Sequence, residues 1–279
     1  MSYKTIAVHL AMNDRMHARL GLACKLAKRF EAHLTGIYAD FLLPQPSLYT
    51  YGEVVDFSAD FVKYRSENAA SVQIIFNEQI AAGALSGDWL KVELDPIRGV
   101  AELSRCADLL VIGQHDAKNK QFYPGYHFPQ SMLMSAGIPI LMIPYAGTVT
   151  SLGETILVAW DGSRESCRAI HDAMPFLKRA SQVTVLTVNA EAEDILDNRC
   201  SGVKVIEMLS RHAVAASLQA IEGVKGADIG NVLLSAISDQ SADLLVMGGY
   251  GHSRLHEIVL GGATRTILET ATVPVLLSH

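Results

Sequence analysis

The sequence predicts an α/β protein built as two similar halves, each a five-stranded parallel sheet flanked by helices. Three observations lead there. Short apolar runs alternate with amphipathic stretches of helical period, which gives a parallel sheet covered by helices and joined through right-handed crossovers. The chain also repeats itself. Ala107-Asp108-Leu109-Leu110-Val111 is identical to Ala242-Asp243-Leu244-Leu245-Val246, an offset of 135 that holds to the C-terminus and pairs Gly113 with Gly248 and Pro139 with Pro274. Near the start, TIAVHL (5–10) matches TILVAW (155–160) at an offset of 150, which persists to Tyr38 against Val188. A repeat of roughly 140 residues is of domain size and too long for a solenoid. Finally, the apolar run ADLLV at 242–246 leads into a glycine-spaced stretch, MGGYGHSRLHEIVLGGATR, from Met247 to Arg265.

Taken in order, the first half offers strand TIAVHL, a helix, and a strand reaching Tyr38. Its excess of about fifteen residues falls in Asp40 to Ser58, with Pro44, Pro46, Tyr49, Tyr51 and Gly52. That segment reads as a surface excursion packed by its own tyrosines, with a lid or binding loop as the alternative. Asp60–Ala82 reads as a long helix, and IPILMI (138–143) as the last strand. In the second half ILVAW (156–160) is short enough for a buried parallel strand. Arg164 to Ala180 carries Cys167, Ile170, Met174 and Leu177 at spacings of three and four, and reads as one amphipathic helix running through Pro175. Strand VTVLTV (183–188), a helix around Val203–His212 and a strand near Val214–Ile221 follow. A helix around Gly230–Ser238, strand DLLVMG (243–248), a helix from about Gly262 and strand VPVLL (273–277) complete the half. The seam is the short polar stretch Pro144 to Thr150, which sets domains at 1–146 and 151–279.

Composition narrows the function. With 49% hydrophobic and 19% charged residues in 279, the chain is well cored. Its net charge of −6 argues against broad contact with nucleic acid or an anionic membrane. The N-terminal apolar stretch is too short and interrupted for a signal peptide, and no run approaches the length that crosses a bilayer. Cys24, Cys106, Cys167 and Cys200 are scattered, with no C-x-x-C, as expected of reduced cytoplasmic thiols. The expected location is cytoplasmic.

The stretch from Met247 carries the chemistry. A buried strand running into glycines and then a helix start is how a parallel sheet holds phosphate, through inward amides and the positive helix end. It fits neither G-x-G-x-x-G nor a P-loop. The spacing Gly248-x2-Gly251-x9-Gly261 resembles the nucleotide loop of the universal stress protein family, G-x2-G-x9-G-S/T, except that Gly262 stands where the family has a hydroxyl. The resemblance covers nearly the whole chain as two tandem copies and is strongest in the second. It implies two tandem Rossmann-like domains of the adenine-nucleotide alpha hydrolase-like type, with ATP, with or without Mg²⁺, bound by the second.

Residue by residue, the resemblance gives Asp161 the hydrogen bonds to the nucleoside and Val188 the packing on the base. Met247 lines the pocket; Gly248, Gly251 and Gly261 form the phosphate loop, with Gly262 offering its amide and Thr264 nearby. His252, Ser253, Arg254 and Arg265 are further candidate phosphate contacts, the arginines being the better forks. Each residue type also has a plain structural reading. Asp161-Gly162-Ser163 is an ordinary helix entry with Asp or Ser as N-cap. Val188 is a strand residue, glycines after strands form turns, and exposed arginines are commonly solvated.

Carried onto the first half, the pattern fails. Asp161 pairs with Ala11, Gly251 with Asp116, Gly261 with Tyr126, Gly262 with His127 and Thr264 with Pro129; only Gly113 remains. An aspartate in the phosphate position repels the anion, so no nucleotide is expected there. His9, His115, Tyr123, Tyr126 and His127 either fill the vacated crevice or hold another ligand.

No metal site is expected: His252 with His256, and Cys167 with His171, have i, i+4 spacing but lack further ligands. Gly251-His252-Ser253-Arg254-Leu255 misses the nucleophile elbow, no H-E-x-x-H occurs, and no catalytic constellation emerges. The resemblance implies a stress-response regulator or signalling module that binds an adenine nucleotide and an unidentified protein partner. A slow ATPase or phosphotransferase, and a nucleotide-free scaffold whose first domain binds another ligand, are the alternatives. Family members dimerise through their last strands; here 138–143 and 273–277 would pair within one chain as a pseudo-dimer, with a further homodimer left open.

Overall fold

The computed structural model describes residues 2–39, 49–50, 53–54, 58–93, 95–115, 128–189, 201–224, 229–250 and 262–279, with backbone alone at 49–50, 53–54 and 58–62. The first half runs β1 (Thr5–Leu10), α1 (Met16–Phe30), β2 (His33–Tyr38), β3 (Tyr49–Thr50), β4 (Glu53–Val54), α2 (Ser58–Gly83), β5 (Gly87–Lys91), α3 (Pro96–Ser104), β6 (Leu109–Gly113), α4 (Phe128–Ser135) and β7 (Ile140–Ile143). The second runs β8 (Thr155–Ala159), α5 (Arg164–Asp172), α6 (Met174–Leu177), β9 (Gln182–Val188), α7 (Gly202–Arg211), β10 (Ser217–Ile221), α8 (Ile229–Asp239), β11 (Leu244–Gly248), α9 (Gly262–Thr270) and β12 (Val275–Ser278).

Ten strands form one sheet in the order β10-β9-β8-β11-β12-β7-β6-β1-β2-β5. Every neighbouring pair is parallel except the central one, where β12 meets β7 antiparallel, Val275 opposite Met142, Leu276 opposite Leu141 and Leu277 opposite Ile140. The two runs expected to pair therefore do. Both strands are buried along their whole length, as suits the middle of a sheet covered on both faces. Strand alternation splits the core in two. Ile6, Val8 and Leu10 pack with residues of α1, α2, α5, α6 and α7, while Ala7 faces the layer carrying Val100 of α3, Met132 of α4, Leu233 of α8 and Ile267 of α9.

The repeated Ala-Asp-Leu-Leu-Val does the same work twice. Asp108 accepts the N–H groups of Lys4 and Thr5 at 2.6 and 2.9 Å, and Asp243 accepts those of Gly153, Glu154 and Thr155 at 2.9 to 3.1 Å. Each aspartate ties the entry of its half's first strand to the strand beside it. The stretch 164–180 departs from expectation. It is two helices, α5 and α6, parted at Ala173, because Pro175 has no N–H to continue the ladder and starts the short second helix at its first turn. The middle strand is also shorter than expected, beginning at Ser217. Of Asp40 to Ser58, the described part is the β3–β4 hairpin and the first residue of α2.

Candidate functional site

In each half the chain lays its second strand on one side of the first and a later strand on the other. The order therefore reverses between β8 and β11, and again between β1 and β6. Such reversals open a crevice at the carboxyl ends of the strands, where ligands of open α/β sheets bind.

At the β8–β11 crevice Asp161 stands exposed just past β8. Its Oδ1 accepts the Ser163 N–H at 3.0 Å and the Ser163 hydroxyl at 2.6 Å. Ser163 in turn is the N-cap of α5, its Oγ accepting the Ser166 N–H at 3.1 Å. The helix-entry reading is thus satisfied, with Ser163 as the N-cap and Asp161 exposed beside it. On the neighbouring strand Ala159 is opposite Leu186, which brings Val188, half-buried, level with Asp161 two residues further on. Met247 and Gly248 close β11. Met247 is buried in the second core layer. Gly248 is demanded by helix packing: a Cβ there would stand 2.5 Å from the Glu165 carbonyl carbon, so the glycine lets the start of α5 press onto the strand end.

Gly262 opens α9, Thr264 is buried, and its Oγ1 accepts the Tyr250 N–H at 3.3 Å. Arg265 lies at the surface, its Nε 2.8 Å from Glu269. Gly251, Gly261, His252, Ser253 and Arg254 lie outside the described residues. The structure therefore brings together Asp161, Val188, Met247 and Gly248, and sets Arg265 in a surface ion pair.

Sequence reasoning missed Tyr250. Its φ of 61° is a left-handed conformation that a bulky residue rarely holds, and its buried hydroxyl has no hydrogen-bond partner. Burial pushes its pKa up to about 12. The chain gave no signal for this, since a tyrosine between glycines reads as an ordinary turn residue.

The β1–β6 crevice is different. Ala11 and Pro129 are buried, and His9 is buried with its Nε2–H donated to the Ala39 carbonyl at 3.1 Å and its ring 4.7 Å from that of Phe128. Desolvation, and secondarily the Arg19 charge, hold its pKa at about 3 against the opposing pull of that carbonyl. Asp116, Tyr123, Tyr126 and His127 lie outside the described residues. His171 donates to the Cys167 carbonyl at 3.0 Å within its own helix, which accounts for that i, i+4 pair. Among the described residues no helix is long and apolar enough to cross a membrane.

A ten-stranded sheet with two such crevices defines a Rossmann-like α/β protein. Residues 153–279 match the sequence profile of the universal stress protein family. The chain is 29% identical over 190 residues to a universal stress protein of Synechocystis sp., covering 61% of this chain and 57% of the relative, so it spans less than two thirds of that relative's length. It is 25% identical over 142 residues to one of Bacillus subtilis, covering 44% of this chain and 96% of the relative. The fold matches the crystal structure of a universal stress protein from Archaeoglobus fulgidus with a TM-score of 0.73 at 16% identity, over 98% of this chain and 97% of the other. The second half thus carries a match to the universal stress protein family, and the chain as a whole is similar to UspA-like proteins.

Proposed function

We propose that this protein is a cytoplasmic stress-response regulator whose second half, residues 151–279, binds ATP, and whose first half, residues 1–146, does not. The match of residues 153–279 to the universal stress protein family supports a stress-response role. The observation that carries the nucleotide is the placing of Asp161, Val188 and Gly248 at adjoining strand ends of the β8–β11 switch point. The residues present fit such a ligand. A carboxylate suits ribose hydroxyls, Val188 offers an aliphatic wall to a base, and the start of α9 at Gly262 offers helix-end amides to phosphate. Mg²⁺ would travel with the phosphates. The protein acts by binding rather than turnover, its two halves forming a pseudo-dimer within one chain.

Calorimetric titration of the full chain tests this. One ATP site per chain is expected, and two equivalent sites would overturn the assignment. Gly251→Asp should abolish binding while the fold survives, since the first half already carries Asp116 at the matching position. A carboxylate facing phosphate at close range costs on the order of a few kcal/mol. Unchanged affinity in this variant would mean that phosphate does not use the loop. Mass spectrometry of small molecules released from protein purified without added nucleotide identifies the natural occupant.

A further inference from the structure

The β1–β6 crevice holds a buried positive charge that no carboxylate among the described residues neutralises. Arg19, in the first turn of α1, is only 3% exposed. Its Nε donates to the His9 carbonyl at 2.7 Å, and a Cβ built on Gly113 would stand 2.6 Å from its Nη1. The guanidinium therefore lies across the ends of the two strands that flank the switch point. Nη2 is fully buried and has no hydrogen-bond partner, and among the described residues no carboxylate pairs with this side chain. Arg15, one turn earlier on the same side of the chain, donates from Nη2 to the Gly147 carbonyl at 2.6 Å and leaves a buried Nε unpartnered as well. Burial lowers the Arg19 pKa to about 10, which keeps the group charged at neutral pH. An unpaired buried guanidinium is among the costliest groups a core can hold, and its fork matches a carboxylate or phosphate.

The repeat sharpens this. At the offset of 150, Arg19 stands against Ala169 and Ala11 against Asp161. One crevice carries a carboxylate at the strand end and a small residue on the helix; the other carries a small residue at the strand end and a guanidinium on the helix. Over Gly248 the space is taken by the backbone of α5 at Glu165, and over Gly113 by the Arg19 guanidinium. The neighbouring His9 ring is neutral and adds no charge of either sign.

We propose that the first-half crevice binds the oxyanion group of a small anionic ligand, a carboxylate or a phosphate, through the guanidinium of Arg19 with Arg15 beside it. The first half is then a second oxyanion site, built on a side-chain guanidinium instead of loop amides, rather than a vacated one. The proposal stands apart from ATP binding in the second half.

The test uses full-length Gly251→Asp protein, in which the second-half loop is silenced, titrated separately with inorganic phosphate and with acetate. Two readouts are followed, the melting temperature and the Nε–Hε resonance of Arg19. A saturable rise in melting temperature is expected, together with a saturable shift of that resonance; the probe acting at lower concentration names the oxyanion. Arg19→Met, which keeps the packed stem, should weaken the response roughly tenfold or more. An identical response in Arg19→Met overturns the proposal, as does an Arg19 resonance unmoved by either probe. If Arg19→Met does not fold, the resonance in the unmutated arginine decides. Loss of ATP binding without loss of this response, or the reverse, separates the two sites.

Discussion

Gly262 is where the proposed second-half loop departs from the universal stress protein pattern, and its place at the start of α9 makes the departure testable. A helical first residue accepts serine without strain. A hydrogen bond to a charged group is worth about 1.5–3 kcal/mol, so Gly262→Ser should tighten ATP at least several-fold. Calorimetry with ATP and AMP checks it: a gain confined to ATP places the hydroxyl at the outer phosphates, whereas no gain means Thr264 or Arg265 already fills the role. In the other half His9 makes a prediction about acid. Its folded pKa of about 3 lies below the unfolded value near 6.5, so the unfolded chain binds the proton first. The stabilisation is complete above about pH 6.5 and is lost as pH falls toward 3, at up to about 1.4 kcal/mol per pH unit. Denaturant titrations from pH 7 to 4 should show this slope in the parent, and a shallower one in His9→Gln. Equal slopes would mean that the imidazole is not the acid-labile group.

At the scale of elements, the strands were the most legible. Buried parallel strands read as unbroken apolar runs, so IPILMI and VPVLL announced themselves, while their pairing was implied by the family resemblance. The break at Ala173 was readable too, since Pro175 stands in the sequence; the period of three and four across it outweighed the proline, because Met174 and Leu177 stay buried in both arrangements. The strand-end positions of Asp161, Val188 and Gly248 were legible, singled out through the family resemblance and the glycine spacing. Arg19 and Tyr250 were not, because an arginine on a helix reads as surface, and nothing local says that its guanidinium turns inward. Also invisible was the aromatic joint between the halves. The Tyr3 ring lies 5.0 Å from Phe30 and 5.6 Å from Phe176, Phe30 lies 5.2 Å from Phe176, and the Tyr3 hydroxyl donates to the Asp172 carbonyl at 2.6 Å. Arg179 caps the group, its guanidinium carbon 4.8 Å from the Phe30 ring centre. Phe176→Ala should cost about 3–5 kcal/mol, as for other buried aromatics, read as a lowered urea midpoint at unchanged slope. A loss below about 1 kcal/mol would show that Tyr3 and Phe30 close over the gap.

For the whole molecule, the antiparallel β7–β12 seam sets the two crevices on opposite rims of one sheet, each bordered by the other half's last helix. Leu133 of α4 packs where a side chain on Gly249 would lie, and Gln114 donates to the Leu268 carbonyl of α9 at 3.2 Å. Each rim is therefore in direct contact with the last helix of the other half. The same seam bears on inheritance. Where two copies of one gene product meet along such strands, any base change alters both rims at once, and neither can explore without the other. Joined in a single reading frame, each rim mutates alone: Asp161 could be kept while its counterpart became Ala11, and Ala169 kept while its counterpart became Arg19. A covalent link between two strands thus lets the two rims differ, one carrying Asp161 and Ala169 and the other Ala11 and Arg19.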